Sequence, residues 1–163
     1  MAVDIFLKLD PIKGESLDEK CKDQIDVLSW SFGESQSGTF HSGSGGGAGK
    51  VNVQDLHFTH FVDKATPELF KVCAKGTHIP SALLTVRKAG DKPLDYLTIE
   101  MENVLVSSVS TGGSHGDDRI VENVSLNFRK LKMIYRTQTD TGAGGKSPTF
   151  GWDIPANKPW GEG

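Results

Sequence analysis

The chain has 163 residues, a length that suggests one domain. Its 36% hydrophobic content, with 19 glycines and 7 prolines, fits a folded domain with a real core and many turns, not a disordered chain. A formal net charge of −3 lacks the positive footprint of a nucleic-acid binder or a membrane-surface protein, and no apolar run nears the ~18 residues that span a bilayer.

Val3, Ile5, Leu7 and Leu9 recur at every second position and predict a half-buried strand. The start has no basic leader and acids interrupt it, so no secretory signal is expected. Pro11 to Gly14 breaks the strand, and the charged stretch from Glu15 to Asp23 reads as a loop. The run QIDVLSWSFG, residues 24–33, predicts a second strand with Leu28, Trp30 and Phe32 toward the core. Its other face carries Val27, Ser29 and Ser31, which then meet water or a partner.

The stretch 38–49 is an excursion with six glycines, Gly38, Gly43, Gly45, Gly46, Gly47 and Gly49, and few anchors. From Lys50 a long strand is expected, with a bulge near Gln54 and Asp55 where the apolar parity switches. Thr66 as cap, Pro67 at the first turn and Gly76 past the end predict one short helix, with Leu69, Phe70, Val72 and Cys73 as its apolar stripe. Ala82, Leu84 and Val86 then alternate, as do Leu97, Ile99 and Met101; Val104 and Val106 take the other parity, which predicts a second bulge. Val124, Leu126 and Phe128 belong to a long strand, and Phe150, Trp152 and Ile154 to a short last one. The tail from about residue 155 is expected to be loose. These elements make a mainly β domain of seven or eight strands whose sheet closes into a barrel or folds into a sandwich.

No catalytic constellation emerges. The segment SGGGAGK, Ser44 to Lys50, lacks the first glycine and the Ser/Thr of a phosphate loop, and a strand follows where a helix is needed. Gly112 to Gly116 matches a nucleophile elbow, but a strand follows it and no histidine lies beyond His115. His57 and His60, three apart on a strand, point to opposite faces and cannot share a metal. The residues therefore indicate no catalytic, metal or cofactor site. Cys21 and Cys73 read as free thiols, with Cys73 buried on the helix stripe and Cys21 the more reactive in its charged loop. This profile favours a binding or assembly protein over an enzyme.

Several segments together carry a resemblance: VDIFLKLD, IKGES, QIDVLSWSFG, GGGAGKVNVQDLHFTHFVDKATPELF, VLVSSVSTGGS and ENVSLNF. The chain resembles the haemolysin-coregulated protein family, the tube subunit of bacterial type VI secretion systems. The resemblance implies a two-sheet β-barrel with one short α-helix and a long extended loop, akin to phage tail-tube proteins. It implies homohexameric rings stacked into a hollow tube inside a contractile sheath built on a baseplate. A spike protein caps the tube, and small effectors ride in the lumen. The subunit is made in the cytoplasm and expelled on sheath contraction without a signal peptide. It also implies that the excursion, with its six glycines, His41 and Lys50, contacts neighbouring subunits or rings; in such a tube, strand alternation turns Ser29 and Ser31 away from the core, and they are expected to face the lumen. On the residues alone, a monomeric β-barrel that binds a small ligand or peptide is the alternative.

Overall fold

The computed structural model describes residues 3–38, 40–43, 49–90, 92–137 and 147–161. Among them the elements are β1 (Val3–Lys8), β2 (Ile25–Asp26), β3 (Ser29–Ser31), β4 (Glu34–Ser35), β5 (Asn52–Val53), β6 (Leu56–Phe61), α1 (Ala65–Lys75), β7 (Ile79–Lys88), β8 (Leu94–Gly112), β9 (Val121–Tyr135), β10 (Thr149–Asp153) and β11 (Lys158–Pro159). The mainly β fold with one helix is the one the sequence implies.

Nine strands form one antiparallel sheet. β2, β1, β7, β8 and β9 follow one another across it. The far edge of β9 is then shared: Val121–Leu126 pairs with β6 and Lys130–Ile134 with β10. β3 flanks β6, β11 flanks β10, and β4 with β5 makes a separate ribbon. The expected barrel is not closed. β2 pairs with β1 and β3 with β6, and only the segment between them links the two edges. There the Val27 N–H donates to the Ile5 carbonyl at 2.9 Å and the Leu28 N–H to the Thr59 carbonyl at 2.8 Å.

That crossing corrects the reading of residues 24–33. A single strand would alternate through Leu28. The chain changes edge instead, so Val27 is 8% exposed and Leu28 45%. Trp30 and Phe32 still pack against the core, while Ser29 and Ser31 are exposed. The core gathers Leu7, Leu9, Ile25, Leu56, Phe58, Leu69, Leu84, Ile99, Met101, Leu126 and Leu131, all almost fully buried. Each such side chain contributes roughly 1.5–3 kcal/mol relative to exposure.

The parity switches have two different origins. Near Gln54 and Asp55 the strand ends outright: β5 leaves to pair with β4, and β6 begins afresh at Leu56. In β8 the switch falls at Asn103, whose φ of 53° is left-handed, a conformation asparagine tolerates. Register is kept across it, with Met101 opposite Leu131 and Val104 opposite Phe128. The register shift itself lies further on, between Val106 and Ser108.

The helix begins one residue before the expected cap. Asp63 does the capping: its Oδ1 accepts the Ala65 N–H at 2.8 Å, and its own N–H donates to Thr66 Oγ1 at 3.2 Å. Gly76, at φ 64°, ends the helix as expected. Its N–H donates to the Cys73 carbonyl and the Thr77 N–H to the Val72 carbonyl, a Schellman ending.

The charged loop and the tail both depart from expectation. Arg87 of β7 is almost fully buried, with Nη1 2.9 Å from Asp18 Oδ2 and Nε 2.8 Å from Asp95 Oδ1. Its guanidinium also lies 5.1 Å from the Phe6 ring centre and donates to Cys21 Sγ at 3.3 Å. The loop folds down over it, so Cys21 is only 5% exposed. The tail, expected to be loose, returns as β11, and the Trp160 N–H donates to the Gly151 carbonyl. A Cβ at Gly151 would stand 1.6 Å from the Trp160 carbonyl oxygen, so no other residue fits there.

Both cysteines are free, but their accessibility is the reverse of the expectation: Cys21 is buried and Cys73 is half-buried. Burial pushes the Cys21 thiol above its ordinary range. A disulfide-exchange reagent at pH 8 should therefore modify Cys73 first and reach Cys21 only as the protein unfolds. Peptide mapping of the labelled native protein checks this, and early label on Cys21 contradicts it.

Candidate functional site

The outward face of β3, β6, β9 and β8 carries a continuous polar surface. Residues directly opposed in antiparallel strands share a face. Ser31 lies opposite His57, His57 opposite Ser125, and Ser125 opposite Ser108. A second row runs Ser29, Thr59, Asn123, Ser110. The two rows are hydroxyls and one amide, with His57 as their single titratable member. The same strands point Trp30, Phe58, Val124 and Leu126 inward, so one alternation builds both the core and this face.

The hydroxyls bond to one another. Ser29 Oγ and Thr59 Oγ1 share a hydrogen bond of 2.6 Å. Ser125, buried at the register shift of β8, bonds to both Ser107 and Ser108. The Ser107 hydroxyl also donates to Asp55 Oδ2 at 2.6 Å, and Asn127 Nδ2 donates to Asp55 Oδ1 at 2.8 Å. Asp55 thus bounds one end of the surface. At the other end the Arg119 guanidinium stacks 3.6 Å over the Phe61 ring. Between them Ser29, Ser31, His57, Thr59, Ser108 and Asn123 line a shallow depression of about 240 Å³. Such a surface can offer and accept hydrogen bonds to many partners without imposing charge.

His57 is exposed and His60 buried, so the two rings diverge as the strand period requires. No group of three or more His, Cys, Asp or Glu residues suited to a metal ion occurs among the described residues. Gly112 ends β8, Gly113 to Gly116 lie in the turn before β9, and a strand follows. After Lys50 the chain enters β5 rather than a helix, so no helix N-terminus faces a phosphate.

The excursion leaves from β4 and returns through β5. His41 lies in a single 3₁₀ turn, Phe40–Ser42, and is exposed. Gly38, Gly43, Gly49 and Lys50 are exposed as well. Gly45, Gly46 and Gly47 fall outside the described residues. Sequence reasoning passed over Phe40, the one aromatic of the segment, which is 84% exposed. At the base of the excursion a groove of about 570 Å³ runs between Glu34, Ser35 and Val51 on one side and Phe150 and Trp152 on the other.

Residues 6–135 match the model of a protein family described as type VI secretion system effector, Hcp. The chain belongs to the Hcp family. It is 54% identical over 159 residues to protein hcp1 of Pseudomonas aeruginosa, covering 96% of this chain and 98% of that one. Among solved structures it is similar to Hcp1 from Salmonella typhimurium, at 45% identity and a TM-score of 0.80, covering 98% of this chain and all of the other. A structure described as a type six secretion system protein superposes with a TM-score of 0.91 at 31% identity, with the same coverage. The resemblance seen in the sequence is therefore to the right family, and the Hcp fold is the fold observed.

Within this Hcp fold Ser125 holds the bulge of β8 beneath the polar surface. Replacing it with alanine leaves two hydroxyls without their shared partner. Ser125→Ala should cost about 1 kcal/mol in urea unfolding with the fold intact. A change below ~0.3 kcal/mol would mean that water replaces the bonds at no cost.

Proposed function

We propose that this chain is a structural subunit of the type VI secretion inner tube and not an enzyme. Homohexameric rings stack into a hollow tube, which the sheath expels on contraction. Its partners are other copies of itself, the spike protein at the tip, the sheath and baseplate, and small effectors in the lumen. The subunit is made in the cytoplasm and leaves with the tube, without a signal peptide. Membership of the Hcp family across residues 6–135 carries this reading.

The polar surface supports it. A lumen that carries varied cargo needs a face that is wet, smooth and free of long charged side chains. Ser29, Ser31, Thr59, Asn123, Ser108 and Ser110 meet that requirement across four strands. Ring closure needs heterologous, head-to-tail interfaces. In this reading the excursion from Gly38 to Lys50 serves contacts between subunits or rings, with Phe40 as its apolar anchor.

Light scattering coupled to sizing should give six copies of 17.6 kDa, about 106 kDa, or multiples of it, and negative-stain images should show sixfold rings. A 17.6 kDa monomer at every concentration rules the tube out in favour of a monomeric ligand-binding module.

Ser31→Gln places a longer amide on the proposed lumen face. Stability should change by under ~0.5 kcal/mol, as for other exposed positions, and rings should persist. Recovery of a cognate effector in a pull-down should fall. Equal recovery from intact rings removes Ser31 from cargo contact, and collapse of the rings puts it at a subunit interface.

A further inference from the structure

A second polar cluster lies on the inward side of β6, and nothing in the tube reading uses it. His60 and Glu122 are both fully buried. They oppose each other across β6 and β9, and His60 Nε2 lies 2.6 Å from Glu122 Oε2. The Thr66 hydroxyl, in the first turn of α1, donates to the same carboxylate oxygen at 2.9 Å. Thr66 Oγ1 in turn accepts the Asp63 N–H, and Asp63 caps the helix through the Ala65 N–H. The other side of the imidazole, Nδ1, faces Asp63 Oδ2 at 3.7 Å. His60 Nδ1 and Glu122 Oε1 are buried without a hydrogen-bond partner.

We propose that His60, Glu122, Thr66 and Asp63 form a proton-dependent latch that fastens the first turn of α1 to the sheet and loosens as pH rises. A neutral imidazole can donate only one hydrogen bond, so with Nε2–H on Glu122 its Nδ1 lone pair would face the Asp63 carboxylate. An imidazolium offers a proton to each acid. Loss of that proton sets a bare nitrogen against Asp63 and leaves the Glu122 charge without its buried counter-ion.

The charged groups around the ring come from three elements. β9 contributes Glu122 and the turn before the helix Asp63, while α1 brings only the Thr66 hydroxyl. From β2, the exposed Asp26 adds a further carboxylate near Asp63. Glu15 accepts the Lys64 N–H beside the cap. The surroundings are acidic. Burial alone would lower the His60 pKa, but Asp63 and Glu122 outweigh it and hold it above the ordinary imidazole value. The latch therefore contributes its full stability below the unfolded value of about 6.5 and loses it as pH climbs through the higher folded value. Opening of this turn uncovers Ala65 and Leu69, both fully buried in the closed form.

The test is hydrogen exchange of the full chain between pH 6 and 9, corrected for intrinsic exchange, together with NMR titration of its five histidines. The amides of Thr66, Glu68, Leu69 and Phe70 should lose protection at least tenfold on the alkaline side, while β8 and β9 keep theirs. His60 should titrate over the same interval. In His60→Gln, which can donate to Glu122 but cannot ionise, the dependence should vanish; Glu122→Gln should flatten it too. The proposal is overturned by a flat wild-type profile, by the same dependence in His60→Gln, or by loss of protection in β8 and β9 together with the helix. Should neither variant fold, the wild-type titration decides: a His60 midpoint outside the interval of helix opening refutes the latch.

Discussion

Most of this fold depends on one strand being shared by three partners. β9 is paired with β8 along one edge, while its other edge serves β6 first and β10 afterwards. Its register therefore sets three others at once. A slip of one residue would turn Val124, Leu126 and Phe128 to solvent and bring Asn123 and Asn127 into the core. The same strand switches parity between Phe128 and Leu131, opposite Asn103, and both partners switch together. Around this single left-handed asparagine the two strands skip the pairing of Asn103 with Arg129 yet keep their register on either side.

Coupling of the two faces follows from that register. The apolar alternation that buries Phe58 and Val124 leaves no choice about where Thr59 and Asn123 point. The outward set is short and uncharged, and its cross-strand pairs are each worth only about 0.2–1 kcal/mol. Stability thus comes from the inward set, and the outward set is free to be chosen for what it contacts. Arg87 plays the matching part on β7, an inner strand between β1 and β8. Its buried guanidinium draws Asp18 and Asp95 together and fixes a loop that has almost no apolar anchors of its own.

What was legible in the sequence was whatever is encoded by local period. The strands around Leu7, Leu84 and Leu126, the helix and its Gly76 ending, and the exposure of Ser29 and Ser31 all follow from spacing alone. The family itself was legible from segments spread along nearly the whole chain. Features created by long-range pairing were not. Leu28 was misread because the chain changes edge at Val27, which no local pattern announces. Cys21 was misread because its cover, Arg87, lies 66 residues away. The tail was misread because Gly151 and Trp160 interlock through the backbone, which side-chain patterning does not record. A signal for His60 and Glu122 was present and unused: each sits at the core parity of its own strand, among Leu56, Phe58, Val124 and Leu126. A charged or titratable residue at such a position implies a buried partner somewhere.

That last signal separates two roles for one residue type on one strand. His57 and His60 are three apart on β6, so the strand period sends one ring to solvent and the other to the interior. His57 is exposed and can exchange hydrogen bonds with water at the polar face. His60 has no water to turn to, and its two nitrogens answer to two acids on different elements. The chemistry of each follows from the side of the sheet on which it lies, not from the imidazole itself. The outward face can therefore vary with its partners, while the inward cluster is bound to the seating of α1.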